Sequence, residues 1–317
     1  MKSLRHLIMP VGACVLGSFG CVSSDDQDLG GRDLEMSLEP QAGGTIYEPP
    51  RGRNGLKPSQ FWSTTAQDAY RDIQHQPLKN GSFFNGADWI PVLNAPSGSP
   101  FHQLITTYPT AAKYLIECAL SETQVVHFTH PDGTEEDIPG WFGLAPEWMD
   151  MPIDTRFDLQ EWVTGCMGAR LNYQGQSVDI LLEGDTSAIQ TNAAFESTFS
   201  ENESTVFGNM FAPVGLAPSN KPAFNLYVCR DNALVTACSN FSGGQAYINR
   251  RICDDVPALC GLVDLGPCDP TALGSLGGCV QGSTSEHWKC RQGLTSTIYQ
   301  FRTVGVQLEA PFEPSCY

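Results

Sequence analysis

Apolar residues recur at helical spacing in two stretches and at two-residue spacing in several others, and these periods set the expected elements. Pro109-Thr110 opens the first helix, with Ala111, Tyr114, Leu115 and Cys118 on one face and Lys113 and Glu117 elsewhere. The second is expected from Asp158, with Glu161 three residues on as a capping-box partner and Leu159, Trp162, Val163, Cys166 and Met167 as its apolar stripe. Both helical cysteines lie on buried stripes, which predicts a Cys118–Cys166 bridge between packed helices. Strands alternate around these helices. Gln124 to Thr129, the turn Pro131-Asp132-Gly133 and the segment Asp137 to Phe142 predict a hairpin. Val178, Ile180 and Leu182 alternate with Asp179, Leu181 and Glu183 before Gly184 stops the run; Phe224 to Cys229 and Ile298 to Leu308 read as further strands. The expected fold class is α+β, a single compact body with a disulfide-rich C-terminal part.

The N-terminus has a different pattern. Lys2 and Arg5 precede an uncharged apolar run from Leu7 to Phe19, followed by Ser18-Phe19-Gly20-Cys21. The run is shorter than the about 20 residues of a membrane-spanning helix, so it reads as a secretory signal. The stretch ending in Cys21 resembles the lipobox of bacterial lipoproteins, although Ser18 stands where that family usually has Leu. The resemblance implies cleavage before Cys21 and diacylation of its thiol. Val11-Gly12-Ala13-Cys14 fits the box better but leaves a very short apolar run before it. Cysteine parity favours Cys21. Of 12 cysteines, cleavage there discards Cys14, reserves Cys21 for lipid and leaves an even set for bridges.

The expected organisation is therefore a signal peptide over 1–20, a lipidated flexible tether over 21–55, an α+β body over 56–224, and a cysteine-rich part over 225–317 packed on that body. The tether expectation rests on Ser, Asp, Gly and Pro with Tyr47 as its only aromatic, a composition that cannot offset its ordering entropy. As a coil of about 34 residues it would span roughly 30 Å, and about 110 Å when stretched.

Charge narrows the partners. The chain carries 35 acidic against 18 basic residues, a formal net charge of −17, and loss of Lys2 and Arg5 makes it more negative still. No basic cluster offsets this, which excludes nucleic acid as a partner and leaves the N-terminal lipid as the membrane contact. Cys229, Cys238, Cys253, Cys260, Cys268, Cys279, Cys290 and Cys316 crowd the last ninety residues; with Cys118 and Cys166 they are the disulfide candidates, consistent with an oxidising compartment. Eight cysteines allow 105 pairings, and sequence chooses none.

YLIECAL (114–120), WVTGCMGARLNYQGQSVDILLEGD (162–185) and VFGNMF (206–211), followed by the cysteine run, resemble a group of cysteine-rich exported lipoproteins of myxobacteria that has no established activity. That resemblance implies an envelope location and the helix–strand–cysteine order, and brings no catalytic residues. Val22 after the lipidated cysteine implies the outer membrane, by likeness to the sorting rule of enteric bacteria.

Searches for chemistry find no hydrolase Gly-x-Ser-x-Gly, no His-Glu-x-x-His, no Cys-x-x-Cys, no phosphate loop and no EF-hand loop. No cofactor is expected. His127 and His130, near Asp132, Glu135, Glu136 and Asp137, offer a metal site, and a solvated polar hairpin is the simpler reading. Glu183 with Asp185, and Glu201 with Glu203, are candidate paired carboxylates of the kind that cleave glycosides, among many acids that would meet that spacing by chance. Phe207 to Phe211 and the group Trp141, Phe142, Trp148 and Met149 read as packing rather than ligand contacts. The expectation is a lipid-anchored envelope protein with a binding or structural role. The alternative is an extracytoplasmic hydrolase of polysaccharide or peptide with an unmarked carboxylate or metal site.

Overall fold

Phe157–Ala169 is a helix buried on nearly every side, and the rest of the body is arranged around it. A computed structural model describes residues 51–78, 82–85, 88–91, 100–129, 134–175, 178–190, 198–211, 226–254, 256, 259–268, 277–281, 288–292, 300–309 and 316. Residues Tyr47–Tyr317 make one compact α+β unit. In chain order the strands are β1 (Arg51–Arg53), β2 (Ser82–Asn85), β3 (Asp88–Pro91), β4 (Val125–Thr129), β5 (Glu135–Pro139), β6 (Asp179–Glu183), β7 (Glu201–Gly208), β8 (Leu226–Arg230), β9 (Leu262–Pro267), β10 (Gly277–Gln281), β11 (Trp288–Gln292), β12 (Gln300–Phe301) and β13 (Thr303–Leu308). The α-helices are α1 (Pro58–Trp62), α2 (Thr64–Ile73), α3 (Pro100–Thr107), α4 (Pro109–Ala119), α5 (Phe157–Ala169), α6 (Asn232–Ala237) and α7 (Gln245–Cys253).

The main sheet runs β1-β6-β13-β7-β8-β9. Its neighbours are antiparallel except β8 and β9, which are parallel and therefore need a crossover; α6 and α7 lie in it. Helix α5 rests on this sheet through glycine. A methyl at Gly165 would come within 2.7 Å of Val304 Cγ2, and one at Gly168 within 2.7 Å of Val206 Cγ1 and 2.8 Å of Leu226. The opposite face is covered as well: Phe207 stacks on Tyr227 with ring centroids 5.3 Å apart, beside the Cys229–Cys268 bridge. A strand covered on both faces loses the polar–apolar alternation of a half-buried one. Accordingly Ile180, Leu181 and Leu182 are all fully buried.

The expected Cys118–Cys166 bridge is present, with Cα atoms 5.9 Å apart, and clamps α4 to α5. Cys229–Cys268, Cys238–Cys316 and Cys253–Cys260 follow it in the C-terminal part. That part is woven into the sheet more deeply than its glycines and prolines suggest, because β8, β9 and β13 all come from it. The hairpin β4–β5 forms, its second strand beginning at Glu135.

Two local expectations change. Helix α5 starts at Phe157 with Arg156 at its N-cap and no side-chain cap, so the Asp158–Glu161 capping box does not form. Asp158 instead sits in the first turn, where its charge suits the helix dipole, and Glu161 accepts from the backbone N–H of Arg302 at 3.0 Å. At the other end, β1 pairs with β6 inside the stretch expected as tether. Asn54 N–H donates to the Val178 carbonyl, Leu56 N–H to that of Arg170, and the Trp141 indole to that of Arg51. Among the described residues, strand pairing begins at Arg51. Among the described residues no helix is long and apolar enough to cross a membrane.

Candidate functional site

A cluster of buried charge lies where α7 and the end of α5 meet β7. The pairing of β7 with β13 shifts at this point: Ser204 faces Val306 and Asn202 faces Gln307, so Glu203 is an extra, bulged residue. A bulge re-aims a side chain. Glu203 shares the side of Ser204, whose hydroxyl donates to Glu203 Oε2 at 3.1 Å. On α7, Tyr247 and Arg251 are one turn apart and converge on the same carboxylate. Arg251 Nη2 lies 2.8 Å from Glu203 Oε2, and the Tyr247 hydroxyl donates to Oε1 at 2.8 Å. Arg251 Nη1 also donates to the carbonyls of Ala169 and Leu171, satisfying the C-terminal end of α5. Glu203 has no solvent exposure. Burial, and then the neighbouring carboxylate, holds the Tyr247 hydroxyl well above its ordinary pKa, so it remains a donor at any physiological pH. This carboxylate is held by Ser204, Tyr247 and Arg251, and its chemistry is that of a clamp between two helices and a bulged strand.

Two further arginines repeat the arrangement. Arg230 on β8 pairs with Asp264 on β9 at 3.3 Å and donates to the carbonyls of Ser242 and Gly243. Those carbonyls belong to a turn in which Ser242, Gly243 and Gly244 all have positive φ, and Ser242 is the one non-glycine residue to do so among the described residues. Asp264 Oδ1 also accepts from Gly266 N–H at 2.8 Å, while its Oδ2 is buried without a hydrogen-bond partner among the described residues. Arg170, just past α5, pairs with Glu117, lies 3.7 Å over the Tyr114 ring and donates to the Arg53 carbonyl at 2.9 Å. Planar, always charged and multiply donating, a guanidinium suits such junctions better than an ammonium.

The members of the two candidate carboxylate pairs differ in burial. Glu183 is buried and accepts from Gln307 Nε2 at 2.9 Å, while Asp185 is exposed. Glu203 is buried, while Glu201 is only partly so. The register places His127 opposite Asp137, with Glu135 and Glu136 on the same strand; His130 and Asp132 lie outside the described residues. Among the described residues no group of three or more His, Cys, Asp or Glu could hold a metal. The loop Phe207 to Phe211 is a core anchor: Phe207, Met210 and Phe211 are fully buried, and Asn209 donates to Gln160 at 2.8 Å. Phe142 and Trp148 are buried too, whereas Trp141 is 43% exposed. Of the cysteine candidates, eight form the four bridges, Cys279 and Cys290 lie on β10 and β11, and Cys21 lies outside the described residues.

One exposed pair went unread in the sequence. His75 Nδ1 lies 3.2 Å from Asp154 Oδ2, and Met151 and Phe157, neighbours of Asp154 in sequence, are 53% and 62% exposed. Seventy-nine residues separate His75 and Asp154, so no local spacing signals them. The Tyr247–Arg251 pair did carry a signal, two polar residues at i and i+4 in a short helix. No family model matches the chain, and no curated protein or solved structure is detectably similar to it.

Proposed function

We propose that the chain is a lipid-anchored cell-envelope protein, exported and held at the outer membrane through Cys21, whose body has a binding or structural role. One observation carries the second half of this reading: the buried Glu203, Arg251, Arg230 and Arg170 are committed to protein partners that join separate elements. Buried ion pairs that bridge elements in this way serve as fasteners of the fold. The bridges support export, because such bonds persist in oxidising compartments. The lipid half rests on the N-terminal pattern and the parity of the cysteines.

The test is expression of the full chain, with its own leader, in a Gram-negative host, followed by detergent phase partition and mass analysis of the N-terminal peptide. A diacylglyceryl group on Cys21, lost in Cys21→Ala, is the expected result. A protein that leaves the cell unacylated overturns the anchor. Turnover of polysaccharide or peptide by the purified protein overturns the non-catalytic role in favour of a hydrolase.

A further inference from the structure

We infer that Cys279 and Cys290 form a fifth, cross-strand disulfide that fixes the register of the small C-terminal sheet. The argument uses only backbone placement and the accounting of cysteines. Strands β10 and β11 are antiparallel, and their ladder runs from Gly277 opposite Gln292 to Gln281 opposite Trp288, which sets Cys279 directly opposite Cys290. Directly opposed residues of an antiparallel pair have Cα atoms about 4.5 or 5.5 Å apart, depending on the hydrogen-bonding position, and lie on the same face. Both separations fall within the roughly 4.4–6.8 Å that a disulfide spans. Every other body cysteine is already engaged, in Cys118–Cys166, Cys229–Cys268, Cys238–Cys316 and Cys253–Cys260. The two remaining cysteines have each other as the partner left over.

The position of this pair gives the bond a purpose. Strand β11 also pairs with β12, and β12 runs through Arg302 directly into β13, which lies between β6 and β7 in the main sheet. A slip of one residue between β10 and β11 would turn each side chain to the wrong face. A covalent link at the centre of that five-residue ladder forbids the slip. Its formation removes two protons and two electrons from the two thiols as the S–S bond is made. The acceptor is the disulfide of an exported dithiol oxidase, which leaves as a dithiol. This step rests on the export reading. With the fifth bridge closed, Cys21 is the one cysteine of the processed chain outside a disulfide, its sulfur taken up by the lipid.

The decisive experiment is peptide mapping of the exported full-length protein without reduction, after thiols are alkylated in denaturant, using proteases that cleave both between Cys268 and Cys279 and between Cys279 and Cys290. The expected product joins the peptides containing Cys279 and Cys290. In a Cys279→Ala variant, alkylation should appear at Cys290 alone, with the four other bridges unchanged. Alkylated Cys279 and Cys290 in the wild type, or a link from either to another cysteine, overturns the inference. In that event the other four bridges separate the causes. If they are formed, the pairing alone is wrong; if they too are thiols, the export reading falls with it.

Discussion

Gly168 sets two opposing effects against each other. Alanine would be the better helix former by about 0.5–1 kcal/mol. Its methyl would, however, meet Val206 Cγ1 at 2.7 Å and both Leu226 methyls at 2.8 Å, and overpacking of a filled core costs about 1–3 kcal/mol. Crowding wins, so Gly168→Ala should lower the urea midpoint by the equivalent of about 1–2 kcal/mol. Gly165 is the harder case, since its added methyl would also stand 3.2 Å from the Val206 carbonyl oxygen, which belongs to the sheet backbone. A second residue-scale prediction concerns Glu203. Its truncation to alanine leaves the Arg251 guanidinium buried without its counter-charge, which costs about 3–5 kcal/mol. Asp185→Ala, at an exposed position after β6, should stay within about 0.5 kcal/mol of wild type in the same denaturation series.

Elements were legible where one face carried the information. Helix α4 emerges from Ala111, Tyr114, Leu115 and Cys118 because those buried residues recur at a helical period, with Ala112, Ile116 and Ala119 buried beside them, and the Cys118–Cys166 bridge follows from two such stripes. The start of α5 was misread because Glu161 is drawn away by a partner 141 residues along the chain, the Arg302 amide, which no local motif announces. Strand β1 was missed for a related reason. Three residues with an exposed arginine at each end have no hydrophobic signal, and they are held by carbonyl contacts from Trp141 and Arg170. The buried clamp was illegible because a bulge, visible only once β7 meets β13, decides where Glu203 points.

Glu161 yields the pH prediction at this scale. Burial raises its pKa from the ordinary 4.5 to about 7, against the lowering effects of the Arg302 amide and charge, with Asp158 adding a smaller rise. The charged form is therefore disfavoured in the folded state. The group's contribution to stability is fully present below about pH 4.5 and is lost as pH rises through about 7. Thermal melts of wild type and Glu161→Gln should diverge across that window, the variant being the more stable at pH 8.

At the scale of the whole molecule, the main sheet has two edges that could recruit foreign strands, and both are blunted. One is β1, three residues long with its arginines outward; the other is β9, which ends in Gly266-Pro267. The interior is tied together by arginine clamps and covalent bonds as well as by apolar packing. Replacing Cys118 and Cys166 by alanine frees a loop of 48 residues in sequence separation and should cost about 2–4 kcal/mol, measured by denaturant unfolding of the oxidised proteins.

The same bridges decide what a protease can accomplish. Cys118–Cys166 encloses the β4–β5 hairpin, and Cys238–Cys316 encloses nearly all of the chain from α6 to the C-terminus. A single cut anywhere inside either loop leaves two fragments that remain one molecule, held by sulfur. The nicked protein would run at full size on a gel without reductant and separate into pieces with it. Damage at one surface loop would thus be survivable in place, and release of a fragment would need a second cut or a reducing agent.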